Sequence, residues 1–169
     1  MLLRDVASLL LTTELVSSFL VALRPECQFS NELTHTLNSM IALCDDGETR
    51  VQQPLLETGI ILPTTTDASP STLITDFFQR LPTAADPQIF GSEVLINLQL
   101  LAQHVELKAR LAADEALIVG LDALNAALSS WSDEWHTCAR EMGKLTFQIR
   151  NASRPPETSR LAFVVPQGT

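Results

Sequence analysis

Residues 117–149 read LIVGLDALNAALSSWSDEWHTCAREMGKLTFQI and carry the clearest structural signal in the chain. A repeat of about 3.5 residues, held over this length, puts a narrow apolar row along one side of an α-helix. Such a row is buried by packing against another helix, so the stretch predicts a long helix with a helical neighbour. The row, called the C-terminal row below, consists of Leu117, Leu121, Leu124, Leu128, Trp131, Trp135, Cys138, Met142, Leu145 and Ile149.

Three shorter amphipathic helices are predicted in the first half of the chain. Each has apolar residues at helical spacing and ends at a proline or at a polar turn that contains glycine. Residues 48–62 fit either a short helix or an extended segment, and the sequence leaves both open. The predicted helices cover residues 2–23, 31–45 and 70–81.

A long stretch without proline follows and predicts two more helices, over residues 92–112 and 114–151. Acidic side chains stand near each predicted start and basic side chains near each predicted end, which complements the helix dipoles. The apolar pattern changes phase among the alanines between residues 109 and 116, where either a turn or a stutter fits. The two helices therefore form either a hairpin or one bent rod.

These elements predict an all-α fold, a helical bundle in which the shorter N-terminal helices pack on a long C-terminal hairpin or bent coiled-coil-like rod. With 169 residues, 46% of them apolar, the chain is long enough for one domain with its own core. The predicted domain is 1–151, with shorter helices and loops in 1–91 and long helices in 92–151. Residues 152–169 are predicted to form a flexible tail, in which Leu161–Val165 either adds as a strand to a partner, packs on the domain or hangs free.

The charge of the chain argues against nucleic acid as a partner. The net charge is −9, and residues 1–91 contribute −7 of it, from four Arg and eleven Asp or Glu. Nucleic-acid binding needs a basic patch that displaces counterions from phosphate, whereas the two Lys and nine Arg of this chain are scattered. The acidic half either steers a basic protein partner or only keeps the domain in solution.

The cysteines and the apolar start of the chain predict an intracellular protein, located in the cytoplasm. Cys27, Cys44 and Cys138 are odd in number and occupy apolar or helix-flanking positions, as free thiols in a reducing compartment do. Asp5 and Glu14 divide the apolar start into uncharged runs shorter than the roughly 20 residues that cross a bilayer. These charges also interrupt the pattern of an export signal, so no direct membrane span is expected.

No catalytic or ligand-binding motif accompanies the helices. The six Gly are scattered, and the chain has no G-x-S-x-G turn, papain-like cysteine context or glycine-rich phosphate loop. The strongest metal candidate is Asp133 with His136, to which Cys138, His104 and Glu106 come near, but a di-metal bundle needs two carboxylate-x-x-His units. We therefore expect no enzymatic activity, no cofactor, no metal and no small-molecule substrate.

The C-terminal row predicts a function in protein association. Trp131 and Trp135 are four residues apart and form an aromatic ledge that either fills the core of the domain or contacts another protein. The predicted function is a non-enzymatic adaptor, scaffold or complex subunit that associates through the row with a helical protein partner or with itself. The predicted contact residues are Leu124, Leu128, Trp131, Trp135, Met142, Leu145 and Ile149.

Two other functions fit the sequence. One is an acidic chaperone or inhibitor that sequesters a basic or aggregation-prone protein client, and the other is a helical carrier with an apolar cavity. Capture by charge weakens steeply with salt, whereas association through the C-terminal row hardly responds to it, so ionic strength distinguishes the first alternative.

Overall fold

The computed structural model describes residues 1–63 and 87–152, and these residues form a bundle of α-helices. The predicted all-α fold, with shorter helices packed on a long C-terminal hairpin, is confirmed. The predicted helix 70–81 and residues 153–169 of the predicted tail lie outside the described ranges. The helices are α1 (Leu2–Leu23), α2 (Asn31–Glu57), α3 (Pro87–Ile118) and α4 (Asp122–Ala152), with a 3-10 turn at Arg24–Cys27 between α1 and α2.

α1 is apolar on nearly all of its surface, and the bundle covers much of it. Val6, Leu9 and Val16 are fully buried where the helix packs against α2 and α3. By length and composition Leu2–Cys27 could cross a membrane, and half of its most apolar window is buried inside the bundle. Because a core helix passes the same test, this segment is weak evidence for a membrane span.

α2 continues beyond its predicted end at Asp45–Asp46–Gly47 and reaches Glu57. The three residues lie inside the helix because its buried face continues through Val51 and Leu55. Burial of two such side chains contributes several kcal/mol, which exceeds the roughly 1 kcal/mol that a glycine costs in a helix. The segment 48–62, left open by the sequence, is therefore helical as far as Glu57.

α3 and α4 form an antiparallel hairpin, which excludes the bent rod. Gly120 follows α3 with a φ of +77°, a left-handed conformation that glycine adopts without strain. The Leu121 N–H donates to the Ala116 carbonyl at 2.9 Å, the bond of a Schellman motif. Across the turn, Asn125 Nδ2 donates to the Ala113 carbonyl at 2.9 Å and fixes the two helices to each other.

The predicted boundary between these two helices, at residues 112–114, is wrong. Asp114 and Glu115 lie inside α3 rather than at the start of the next helix, and α3 begins at Pro87 rather than at residue 92. A charge near a helix end is worth only about 0.3–1 kcal/mol, whereas a non-glycine residue in the left-handed conformation costs about 1–2 kcal/mol. Gly120 therefore sets the position of the turn, and Pro87 occupies a first-turn position that its missing N–H suits.

A close contact in the core joins α2 to α4, at Gly47 and Trp131. The Trp131 indole is fully buried, and its Nε1 donates to the Leu43 carbonyl at 3.0 Å. A Cβ atom built on Gly47 would lie within 2.9 Å of three atoms of the indole ring. The absence of a side chain at Gly47 is what lets the indole lie directly on the backbone of α2.

We predict that Gly47→Ala destabilises the protein by about 1–3 kcal/mol, because the added methyl overlaps a rigid ring in a packed core. Gly143→Ala is the matched control, since the new Cβ would lie 3.1 Å from Nε2 of Gln99, the end of a flexible side chain. Because alanine avoids the cost that glycine imposes inside a helix, Gly143→Ala should leave the free energy of unfolding unchanged or raise it by up to about 1 kcal/mol. Urea unfolding followed by circular dichroism measures both, and equal stabilities would contradict the packing argument.

Candidate interaction surfaces

The predicted contact residues lie mainly inside this chain. Five of them are buried, with α2 and α3 packed on α4, and the other two, Leu145 and Ile149, are partly buried against the same core. The prediction that these seven residues form an outward contact surface therefore needs correction, because the five buried side chains are not available to a partner. A 3.5-residue repeat shows that a row is covered by a helix, and here the covering helices belong to the same chain. The five are Leu124, Leu128, Trp131, Trp135 and Met142.

α3 presents a second apolar row, on the side away from the core. Leu100, Leu107, Leu111 and Ile118 are 54%, 57%, 56% and 83% exposed. At 100° per residue these four side chains fall within about 40° of one another around the helix axis. Single exposed leucines are common on proteins, but four aligned along one helix form a continuous apolar strip. This set is called the outer row below.

The outer row lies opposite the face by which α3 enters the core. The buried face of α3 includes Val94, Leu98 and Val105, about 140° around the helix from the outer row. α3 is therefore apolar on two opposite sides, whereas α4 has one apolar and one polar side. The sequence signal that could have revealed the outer row is its own spacing of seven, four and seven residues, which the core row of the same helix obscures.

Two polar residues interrupt the outer row at heptad positions, His104 and Asp114. His104 is partly buried, and its Nε2 has no hydrogen-bond partner among the described residues. Burial, and to a lesser degree the charge of Lys108, lowers the pKa of His104, so its imidazole is neutral at pH 7. Lys108 is held against α1, where its Nζ donates to Thr12 Oγ1 at 3.1 Å.

A second candidate surface is a groove of about 930 Å³ between α2 and α4. Its lining includes the partly buried Leu43, Cys138 and Leu145, the last of which is one of the predicted contact residues. Burial, together with the nearby Glu141 carboxylate, raises the pKa of Cys138 to about 11, so its thiol is protonated at neutral pH. The Cys138 thiol therefore adds no charge to the groove lining.

Charged side chains surround this groove. Arg50 of α2 crosses to Glu134 of α4 with two hydrogen bonds, Nη1 to Oε1 at 2.5 Å and Nη2 to Oε2 at 3.0 Å. Asp46 binds the Nε of the same Arg50, so this cation is already neutralised by carboxylates. The full lining contains four carboxylates, at Glu32, Asp46, Glu134 and Glu141, and two cations, at Arg50 and Lys144, which leaves an excess of negative charge.

The structure does not bring the residues of the metal candidate together in one cluster. His136 Nδ1 lies 3.0 Å from Glu106 Oε1, and Arg110 lies 3.7 Å from Asp133. Cys138 lines the groove beside α2 instead. In the described ranges, no group of three or more His, Cys, Asp or Glu side chains is arranged to hold a metal ion.

We predict that Trp131→Ala and Trp135→Ala each reduce the free energy of unfolding by about 3–5 kcal/mol, the cost of removing a buried indole from a core. Phe147→Ala is the control, because Phe147 is 67% exposed on α4 and should lose no more than about 0.5 kcal/mol. Thermal and urea unfolding measure these differences. Tryptophan variants with native stability would contradict the burial of the C-terminal row.

Comparison with known proteins adds no functional information. No family model, curated protein or solved structure matches this chain. The two surfaces that could bind another molecule are the outer row of α3 and the groove between α2 and α4.

Proposed function

We propose that this protein is a non-enzymatic helical assembly subunit that binds a helical protein partner through the outer row of α3. The observation that carries the proposal is the alignment of Leu100, Leu107, Leu111 and Ile118 on the solvent side of a helix whose opposite side is already in the core. The C-terminal row supports the monomer, and the outer row supports the contact with the partner.

The size of the outer row supports binding of moderate strength. Its four side chains together expose about as much surface as two and a half fully solvated leucines. Burial of a whole leucine or isoleucine contributes about 1.5–3 kcal/mol, so the row contributes roughly 4–8 kcal/mol before the costs of association. Those costs are about 4–15 kcal/mol, so a partner must also bury part of its own apolar surface.

The shape of the outer row favours a helix as the partner. Side chains spaced by four and seven residues match the spacing of apolar side chains on a second helix, as in helix-in-groove and coiled-coil contacts. A sheet edge would need free backbone N–H and C=O groups to pair with, and the interior of α3 already uses these groups within the helix. The three cysteines are free thiols in the described structure, which supports a reducing, intracellular location as part of the proposal.

This proposal predicts that a photo-reactive phenylalanine analogue at Leu107 forms a covalent adduct in the cells that make the protein, whereas the same analogue at the exposed Phe147 does not. Leu107 is central in the outer row, and Phe147 lies on another helix outside it. The mass of the adduct, read on a denaturing gel, gives the size of the partner. A second change in the row, Leu111→Glu, should abolish the adduct, and an adduct that persists in this variant would contradict the proposal.

A second candidate function is an acidic chaperone or inhibitor that uses the groove between α2 and α4. The observation that favours it is a lining that combines apolar side chains, such as Leu43 and Leu145, with an excess of carboxylates. An amphipathic segment of a client with apolar and basic side chains would be complementary to this arrangement.

For the groove, we expect a fluorescent basic amphipathic peptide to bind the purified protein, with affinity at least about tenfold weaker in 500 mM than in 50 mM salt, because exposed charges are screened. Ala42→Trp should block binding, since Ala42 is exposed and lines the groove. Ala126→Trp, at an exposed position of α4 outside the groove lining, is the control. Fluorescence anisotropy measures the affinities, and equal binding by the two variants would exclude the groove.

A further inference from the structure

We infer that the partner of the outer row is a second copy of this chain, with the two α3 helices antiparallel and related by a two-fold axis level with Ala109. The inference rests on the proposed function, because it names the partner of the same surface. It follows from the positions of the apolar and polar residues along the row, which are paired at equal distances on either side of Ala109.

The outer row is symmetric in sequence about Ala109. Leu107 and Leu111 lie two residues on either side of it, and Leu100 and Ile118 lie nine residues on either side. In an antiparallel pair with this centre, Leu107 lies beside Leu111 of the second copy, and Leu100 lies beside Ile118 of the second copy. A two-fold interface requires this kind of self-complementary patch, in which residue i contacts j and residue j contacts i.

The polar positions of the row obey the same symmetry. His104 and Asp114 lie five residues on either side of Ala109, so each stands opposite the other in the second copy. Opposing polar residues specify the register of paired helices, because any other register buries one of them against an apolar side chain. Here a shift of one heptad in either direction puts His104 opposite Leu107, or Asp114 opposite Leu111.

A parallel arrangement is less favourable on the same grounds. It would place Asp114 beside Asp114 of the second copy, and like charges directly opposed across a helix pair are repulsive. In the antiparallel arrangement Lys108 lies near the two-fold axis, but its ammonium group is held against α1 by Thr12, which keeps it to one side of the row. Charge and apolar pattern thus favour one orientation and one register.

The size of the contact sets the expected strength of the dimer. The row spans 19 residues, about 27 Å along the helix, so a single helix pair buries less than the roughly 800 Å² per partner of a standard stable interface. A contact of this size gives a monomer–dimer equilibrium that depends on protein concentration rather than a permanent dimer.

The first test is sedimentation of the purified full-length chain over a range of concentrations. We expect a mass near 18.5 kDa at low micromolar concentration that rises toward twice this value at roughly several hundred micromolar, as weak interfaces do. Leu107→Glu should keep the protein monomeric throughout, whereas Phe147→Glu, an equally drastic change at an exposed helical site, should dimerise like wild type. A dimer that survives Leu107→Glu would overturn the assignment of the surface.

The second test fixes orientation and register by disulfide formation, in a Cys138→Ser background that removes the partly buried native thiol. Leu100→Cys chains mixed with Ile118→Cys chains should form the mixed disulfide faster than Leu100→Cys chains alone or mixed with Leu111→Cys chains. Faster self-linking of Leu100→Cys would show parallel pairing, and faster linking to Leu111→Cys would show a shifted register. Either result would overturn the proposed arrangement.

Different results would contradict self-association through the outer row and binding of a helical partner through it. A wild-type chain that stays monomeric at every concentration overturns self-association, yet an adduct of another mass from the analogue at Leu107, abolished by Leu111→Glu, still supports a helical partner of a different kind. A chain that is monomeric and also forms no such adduct overturns both.

Discussion

The contact between the bare backbone of Gly47 and the indole of Trp131 is the constraint on which the packing of α2 against α4 depends. The ring occupies the space that a Cβ would need, and its Nε1 bonds to the Leu43 carbonyl one turn earlier on α2. This buried contact therefore allows a close approach of the two helices and ties them together by a hydrogen bond. The Arg50–Glu134 ion pair spans the same two helices, but it is partly exposed and contributes less.

α2 and α3 bury most of the C-terminal row, so this row is not available to a partner. A function in protein association would therefore use the surfaces that remain exposed. α4 has a polar outer side that contacts polar side chains of α3, as His136 does with Glu106. α3 differs, because leucines occupy the outer positions where a solvent-facing helix normally carries charge. An apolar row of this kind reduces solubility unless something covers it, and the interior of this bundle does not need it.

The groove between α2 and α4 lies beside the contact that joins these helices, since Leu43 belongs to both. Trp131 holds them closely on one side of Leu43, and the helices leave a gap between the N-terminal part of α2 and the C-terminal part of α4. Leu145, which continues the heptad pattern of the C-terminal row, consequently lies partly exposed in the lining instead of in the core. The outer row and the groove differ in chemistry. The outer row is an apolar strip on a single helix, whereas the groove lining combines apolar side chains with an excess of carboxylates.

Helix formation over residues 122–149 and the burial of most of the C-terminal row follow from the sequence, because a 3.5-residue repeat removes its apolar side chains from water by packing against a helix. Leu117 is the exception, since it lies in α3 before the turn and is 57% exposed. The all-α class and the presence of α1 and α2 follow in the same way from periodicity and from Pro25. Three features required the tertiary structure. The turn lies at Gly120 rather than near Asp114, because backbone strain outweighs the weak preference of charges for helix ends. α2 passes through Asp45–Asp46–Gly47, because a long-range contact with Trp131 uses the glycine that a local pattern reads as a stop. The identity of the exposed row on α3 also depends on packing, since periodicity marks both of its apolar sides and only the placement of α1 and α4 determines which one is left in solvent.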